Sequence, residues 1–132
     1  MRIFIDTSAF YALLDRDDKN HQRGKKVWNE IIDAGYTLLT SNYVLVETFA
    51  LLRSRLGFDA ARGFQEDLVP ILHVEFITAD LHRLGIAALL SASRRGLSLV
   101  DCVSFEFMRD SGIKTAFTFD SHFKEQGFSI VP

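Results

Sequence analysis

The sequence predicts an α/β fold built around a parallel sheet, on three observations. Short apolar runs rich in β-branched and aromatic residues alternate with helix-length amphipathic stretches. The stretches open on serine, threonine or asparagine and close on glycine, as helices do. Only two prolines occur, Pro70 and Pro132, and the eight glycines are scattered as punctuation. No repeat, low-complexity tract or linker interrupts the alternation. The 132 residues therefore read as one domain, 1–132, long enough to bury a hydrophobic core.

Taken in order, Ile3-Phe4-Ile5 is a compact strand that ends at Asp6-Thr7-Ser8, where Ser8 is placed to cap a helix over 9–14. A second helix is expected over 19–34, ended by Gly35, and a buried strand over 36–40. Ser41-Asn42 opens an apolar helix reaching 55, with Gly57 after it. A further helix is expected over 59–69, stopped by Pro70. A third strand follows over 73–77, and Thr78 caps a long helix reaching 95, with Gly96 behind it. Ser98 starts the next helix, which ends near Gly112; strands over 115–119 and 128–131 complete the chain. Strands alternating with helices imply a parallel sheet with helices on both faces.

Composition excludes more than it suggests. Hydrophobic residues are 48% and charged residues 24%, ordinary for a globular chain and unlike a disordered one. A single cysteine, Cys102, rules out an internal disulfide or a cysteine-based zinc site and fits a reducing, cytoplasmic setting. The first apolar run stops at Asp6, too short for a secretory signal, and no run is long enough to cross a bilayer. With a formal net charge of -2, the chain is no generic polyanion binder. Contact with nucleic acid must be local, through a patch of arginine and lysine or through bound metal.

Four acids stand out. In open parallel sheets, ligands bind beyond the carboxyl ends of the strands. Asp6 directly follows the first strand and Asp120 the fourth. Asp101 lies three residues past Ser98, and Glu47 about a turn and a half into the helix opened by Ser41. Helices that follow parallel strands start at that same edge, so the four carboxylates can converge there. Two like charges about 4 Å apart repel by roughly 4 kcal/mol at an effective dielectric near 20. A cation among them removes that cost, and hard ions such as Mg²⁺ take carboxylate oxygens, waters and phosphate oxygens.

Each acid also has a structural explanation. Asp120-Ser121 suits the cap of a short helix, and Ser98-Leu99-Val100-Asp101 has the form of a capping box. Asp6 at the end of a buried strand is harder to explain this way. Glu47 projects from a largely apolar stretch, with Tyr43, Val44, Ala50 and Leu51 three and four positions away. A carboxylate there needs a partner, either a cation, an arginine or water.

These residues carry a family resemblance. The opening Ile3-Phe4-Ile5-Asp6-Thr7-Ser8-Ala9-Phe10 resembles that of a PIN domain. Glu47 in Ser41-Asn42-Tyr43-Val44-Leu45-Val46-Glu47, Asp101 in Leu97-Ser98-Leu99-Val100-Asp101-Cys102, and Asp120 in Thr118-Phe119-Asp120-Ser121-His122-Phe123 resemble the family's second, third and fourth acids. The spacing spans essentially the whole chain, whose size is that of the VapC-type toxins. The resemblance implies a three-layer α/β/α sandwich and a Mg²⁺- or Mn²⁺-dependent endoribonuclease, with a homodimer and a cognate antitoxin as partners. Asp6, Asp101 and Asp120 would then be catalytic metal ligands, and Glu47 a ligand or the group that orients the attacking water. Thr7 and Thr118 match hydroxyl positions that support the carboxylates. One departure stands out: many relatives carry a further acid two residues after the fourth, and here that place is His122. A site that holds one metal at rest is the expectation.

Other readings compete. A haloacid-dehalogenase-like phosphotransferase wants a second acid two residues after Asp6, where Ser8 stands. A receiver domain wants an adjacent acid pair and a late lysine after a strand, a pattern this chain does not present. A catalytically degenerate PIN domain serving as an RNA-binding or assembly module is compatible with His122. Elsewhere, His21, His73 and His82 have no spacing joining them to the acids, whereas His122 is close enough to Asp120 to touch a substrate phosphate. The segment 15–19 reads as a solvated loop. Arg94-Arg95 suits a helix C-terminus. The 12 phenylalanines read mainly as core.

Overall fold

The structure, a computed structural model, describes residues 1–92 and 96–132. The chain runs β1 (Arg2–Ile5), α1 (Thr7–Leu14), α2 (His21–Asp33), β2 (Thr37–Ser41), α3 (Asn42–Arg55), α4 (Phe58–Gly63), β3 (His73–Glu75), α5 (Ala79–Ser91), α6 (Leu99–Ser111), β4 (Thr115–Phe117), α7 (His122–Glu125) and β5 (Ser129–Val131). All strands are parallel, in the order β3-β2-β1-β4-β5. Successive residues of a strand face opposite sides of the sheet. Ile3, Phe4 and Ile5 are only 1%, 0% and 0% exposed, so both faces of the central strand are covered. That gives the expected α/β/α layering.

Strand order fixes where a ligand fits. The chain builds outward from β1 through β2 to β3, then returns to β4 on the other side of β1. The switch point therefore lies between β1 and β4, and the crevice above it opens at their carboxyl ends. Phe4 pairs with Ala116 and Ile5 with Phe117, and the Asp6 amide donates to the Phe117 carbonyl at 3.1 Å. Asp6 and Asp120 consequently leave the sheet side by side.

Several sequence expectations shift. Ser8 does not cap α1; Asp6 is the N-cap residue, and α1 begins at Thr7. The helix expected over 59–69 is α-helical only through Gly63. It continues as a π-helical turn, Phe64–Leu68, and a 3₁₀ turn, Val69–Ile71, so Pro70 sits inside that last turn rather than behind a helix end. Proline has no amide hydrogen and crowds the preceding turn. The widened turn carries fully buried Phe64, which packs edge-on against Phe10 and Phe49 at 5.0 and 5.1 Å. The third and fourth strands stop two residues short of expectation, and Phe119 and Asp120 belong to the loop above β4. Glycine closes helices as anticipated: Gly35 (φ +71°) lets the Tyr36 amide reach Ile31 at 3.1 Å. The Arg94-Arg95 expectation lies outside the described residues.

One close packing contact fixes α6. A Cβ on Gly85 of α5 would lie 2.3 Å from Val103 Cγ2 and 3.1 Å from Val103 Cα. Glycine costs helix stability, so packing explains it here. Gly85→Ala is expected to destabilise the fold by about 1–3 kcal/mol, or roughly 3–12 °C in melting temperature. Pairing it with Val103→Ala should restore part of the loss. An unchanged melting temperature in Gly85→Ala would show that α5 and α6 are not packed this closely.

Candidate active site

The residues around the switch point can be built up from Asp6. It is 4% exposed, and burial is the main reason its carboxyl is pushed up from 3.8 to about 7. The charge of Asp101 raises it further, while hydrogen bonds from the Ser8 and Thr118 hydroxyls and from Thr7 pull it back. Ser8 Oγ and Thr118 Oγ1 each donate to Asp6 Oδ2 at 3.0 Å. The two hydroxyls lie 3.2 Å apart, but each has one proton, and the carboxylate takes both. As acceptors, Ser8 Oγ receives the Phe119 amide and Thr118 Oγ1 the Asp120 amide, both at 2.9 Å. This ring of contacts ties the end of β1 to the loop after β4. Ser8 was expected only as a helix cap, and no periodicity could show that its hydroxyl folds back onto the preceding acid.

Asp101 is 9% exposed and sits at the third position of α6. Its Oδ2 accepts the Ser98 amide at 3.0 Å, and its own amide donates to Ser98 Oγ at 3.0 Å. The capping box read in the sequence is therefore present. The box holds Oδ2, and the carboxyl still lies in a group with Asp120 and His122 whose ligand atoms are within 4.8 Å of one another. Burial raises the Asp101 carboxyl, the Ser98 hydrogen bonds lower it, and the charge of Asp120 raises it again. Asp120 likewise plays a structural part: its Oδ1 accepts the His122 amide at 2.9 Å. Capping and clustering coexist because a carboxylate has two oxygens.

Glu47 is half-buried on α3, in the turn that also buries Val44 and Thr48. Its carboxyl is raised first by burial, then by Asp101 and Asp120, and is lowered by a hydrogen bond from Thr7. Thr7 in turn accepts from Thr48 Oγ1 at 3.3 Å, so α1 and α3 are joined directly beneath the acid. Among the described residues no arginine or lysine pairs with Glu47. The structure thus links Asp6, Glu47 and Asp120 electrostatically through Asp101, with Glu47 also feeling Asp120.

His122 joins them. Ligand atoms of Asp101, Asp120 and His122 all lie within 4.8 Å of one another. His122 Nδ1 is 2.9 Å from Asp120 Oδ1, yet it is a buried nitrogen with no properly aligned hydrogen bond. Close distance without alignment means that this contact is not a hydrogen bond. The other histidines lie elsewhere. His21 Nδ1 is 2.7 Å from the Ala12 carbonyl, His82 Nδ1 contacts the Tyr43 hydroxyl, and His73 is exposed on β3. Outside the cluster, the Arg23 guanidinium stacks over the Phe119 ring, 5.7 Å from its centre, a contact that sequence patterning missed. Its position at the third residue of a polar-faced helix gave no sign of this.

The donor set suits a hard divalent cation. Oxygen ligands predominate, their charges repel, and an orphaned buried nitrogen points at one of them. Mg²⁺ and Mn²⁺ both accept such donors.

Comparison with known proteins follows the same line. Residues 3–129 match the PIN domain. The 23S rRNA-specific endonuclease VapC20, in two strains of Mycobacterium tuberculosis, is 38% identical over 127 residues, spanning 96% of this chain and 95% of the relative. The crystal structure of Mycobacterium tuberculosis VapC20, described as a sarcin–ricin-loop-cleaving toxin, superposes with a TM-score of 0.86 at 36% identity, over 98% of this chain and 99% of that one. VapBC2 from Rickettsia felis, solved bound to a promoter DNA fragment, gives a TM-score of 0.73 at 12% identity over 98% and 97% of the two chains. FitAcB from Neisseria gonorrhoeae gives 0.71 at 13% identity over 100% and 97%. These last two share the fold. The chain belongs to the PIN-domain family.

Proposed function

We propose that this chain is a divalent-cation-dependent endoribonuclease whose substrate is the large ribosomal RNA, and that it acts as a single domain in the cytoplasm. The observation that carries the chemistry is the carboxylate cluster at the β1/β4 switch point, where Asp6, Glu47 and Asp101 are all raised first by burial and then by a neighbouring acid, Asp101 or Asp120. Its end-to-end likeness to a 23S rRNA-specific endonuclease supports the substrate.

Asp6, Asp101 and Asp120 would hold Mg²⁺ or Mn²⁺, with Glu47 at the margin. A cation bound there supplies charge neutralisation for the scissile phosphate and a water of lowered pKa. The chain's own groups do the rest. Ser8 and Thr118 fix the Asp6 carboxylate, and the Ser98 amide fixes Asp101. Glu47, oriented by Thr7 and raised above the ordinary carboxylate range by burial, is the base that takes a proton from the attacking water.

The likeness to a described toxin supports a cognate antitoxin as partner. Exposed Val46, Phe76 and Leu84 offer apolar surface for it or for a second copy in a homodimer. Among the described residues, no helix is long and apolar enough to cross a membrane.

The test uses purified chain with intact ribosomes, with Mn²⁺ or with EDTA, and primer extension along the large ribosomal RNA. A discrete cation-dependent cut is the expected result. Cleavage of other RNAs alone would overturn the substrate, whereas divalent-ion binding without any cleavage would favour a degenerate RNA-binding module.

A further inference from the structure

The position two residues after Asp120 holds an imidazole where a further carboxylate would extend the acid cluster, and its surroundings say what it does. The Cε1 edge of the His122 ring faces Gly96, at which a Cβ would lie 3.5 Å from it. The ring atom bonded to Cε1, Nδ1, faces Asp120. The His122 amide already binds Asp120 Oδ1 at 2.9 Å, which anchors the turn and fixes the imidazole beside the carboxylate. Nδ1 lies 2.9 Å from that same oxygen, buried and without an aligned hydrogen bond. A nitrogen and an oxygen at that spacing, neither bonded to the other, match two neighbouring corners of an octahedron. With metal–ligand distances of about 2.0–2.1 Å, such corners stand about 3 Å apart. Asp101 closes the third side, since the three ligand atoms lie within 4.8 Å of one another.

We infer that His122 is itself an inner ligand of the catalytic cation, through Nδ1, and that it shifts the site's preference from Mg²⁺ toward Mn²⁺. Resting on the metal-dependent reading above, this adds a ligand and a selectivity to it. An imidazole in place of a carboxylate removes one negative charge from the set. Mg²⁺ favours oxygen and charge, whereas later first-row ions accept nitrogen readily. The substitution thus lowers Mg²⁺ affinity more than Mn²⁺ affinity. It also relieves repulsion among Asp6, Asp101 and Asp120, and this leaves the position poorly suited to a second cation.

Pulsed EPR on the purified chain with one equivalent of Mn²⁺ tests the assignment without using activity. Coupling to a directly bound nitrogen is expected in the wild type and should vanish in His122→Ala. Calorimetry should show Mn²⁺ affinity falling about 10–100-fold in that variant, with Mg²⁺ affinity falling less. His122→Asp should tighten Mg²⁺ and lack the nitrogen signal. Bound Mn²⁺ without nitrogen coupling in the wild type would overturn the assignment while leaving the carboxylate site standing. So would equal losses for both ions, which a merely positioning role gives. If the wild type bound neither ion, the metal-dependent reading would itself fall. The wild-type spectrum decides the question even if a variant fails to fold.

Discussion

Replacing Asp6 by asparagine should abolish cation-dependent RNA cleavage, by on the order of 10³-fold or more, while making the metal-free protein more stable near pH 8. The two effects have one cause. Asp6 is the most deeply buried of the four acids, and hydrogen bonds from Ser8 and Thr118 only partly offset the cost of burying its charge. Asparagine keeps the shape, and its carbonyl can still accept both hydroxyls, but it brings no charge to a metal or to the electrostatics of the reaction. Activity by primer extension and melting by calorimetry should therefore move in opposite directions. Loss of activity together with loss of stability would mean that the substitution acts by unfolding. Full activity in Asp6→Asn would remove this residue from the proposed mechanism.

The second large effect concerns pH. With the Asp6 carboxyl raised from 3.8 to about 7, the folded apo chain holds a proton more tightly than the unfolded chain does. Its contribution to stability is fully present below about pH 4 and is lost as pH climbs through about 7. The rise corresponds to on the order of 4 kcal/mol across that window, a ceiling because neighbouring acids share protons. Glu47 and Asp101 are raised in the same direction and add to the slope. In EDTA the melting temperature should therefore fall by roughly 10 °C between pH 5 and pH 8. Mn²⁺ should flatten the curve at the alkaline end, where a cation replaces the proton. Asp6→Asn should flatten it without metal. A melting temperature independent of pH in EDTA would mean the cluster is not the strained charge array described above.

Much of the fold was legible because parallel sheets write themselves plainly. Ile3-Phe4-Ile5 is buried on both faces, so its strand reads as an unbroken apolar run. Ser41, Thr78 and Ser98 cap the helices assigned to them, each accepting a backbone amide. Where reading failed, tertiary packing had overridden local preference. The π-helical turn at Phe64 answers to Phe10 and Phe49, which are distant in sequence. Ser8 is a strong capping residue by type, but Asp6 and Thr118 compete for its hydroxyl, and Thr118 lies 110 residues away.

The candidate site divides along the same line. By itself the sequence determined which acids are available and which end of which element carries each, because strand and helix termini follow from local hydrogen-bonding and apolar periodicity. It also determined that Asp101 caps its helix, a contact spanning three residues. Only the tertiary structure decided that Asp101 and Asp120 meet at His122, that Ser8 serves Asp6, and that His122 turns a nitrogen toward Asp120. Those facts depend on side-chain direction at the β1/β4 crossing, where residues more than a hundred positions apart meet within about 3 Å. Local propensity extends over a turn or two of chain, whereas the balance of burial and repulsion is set by every element that converges on the crevice.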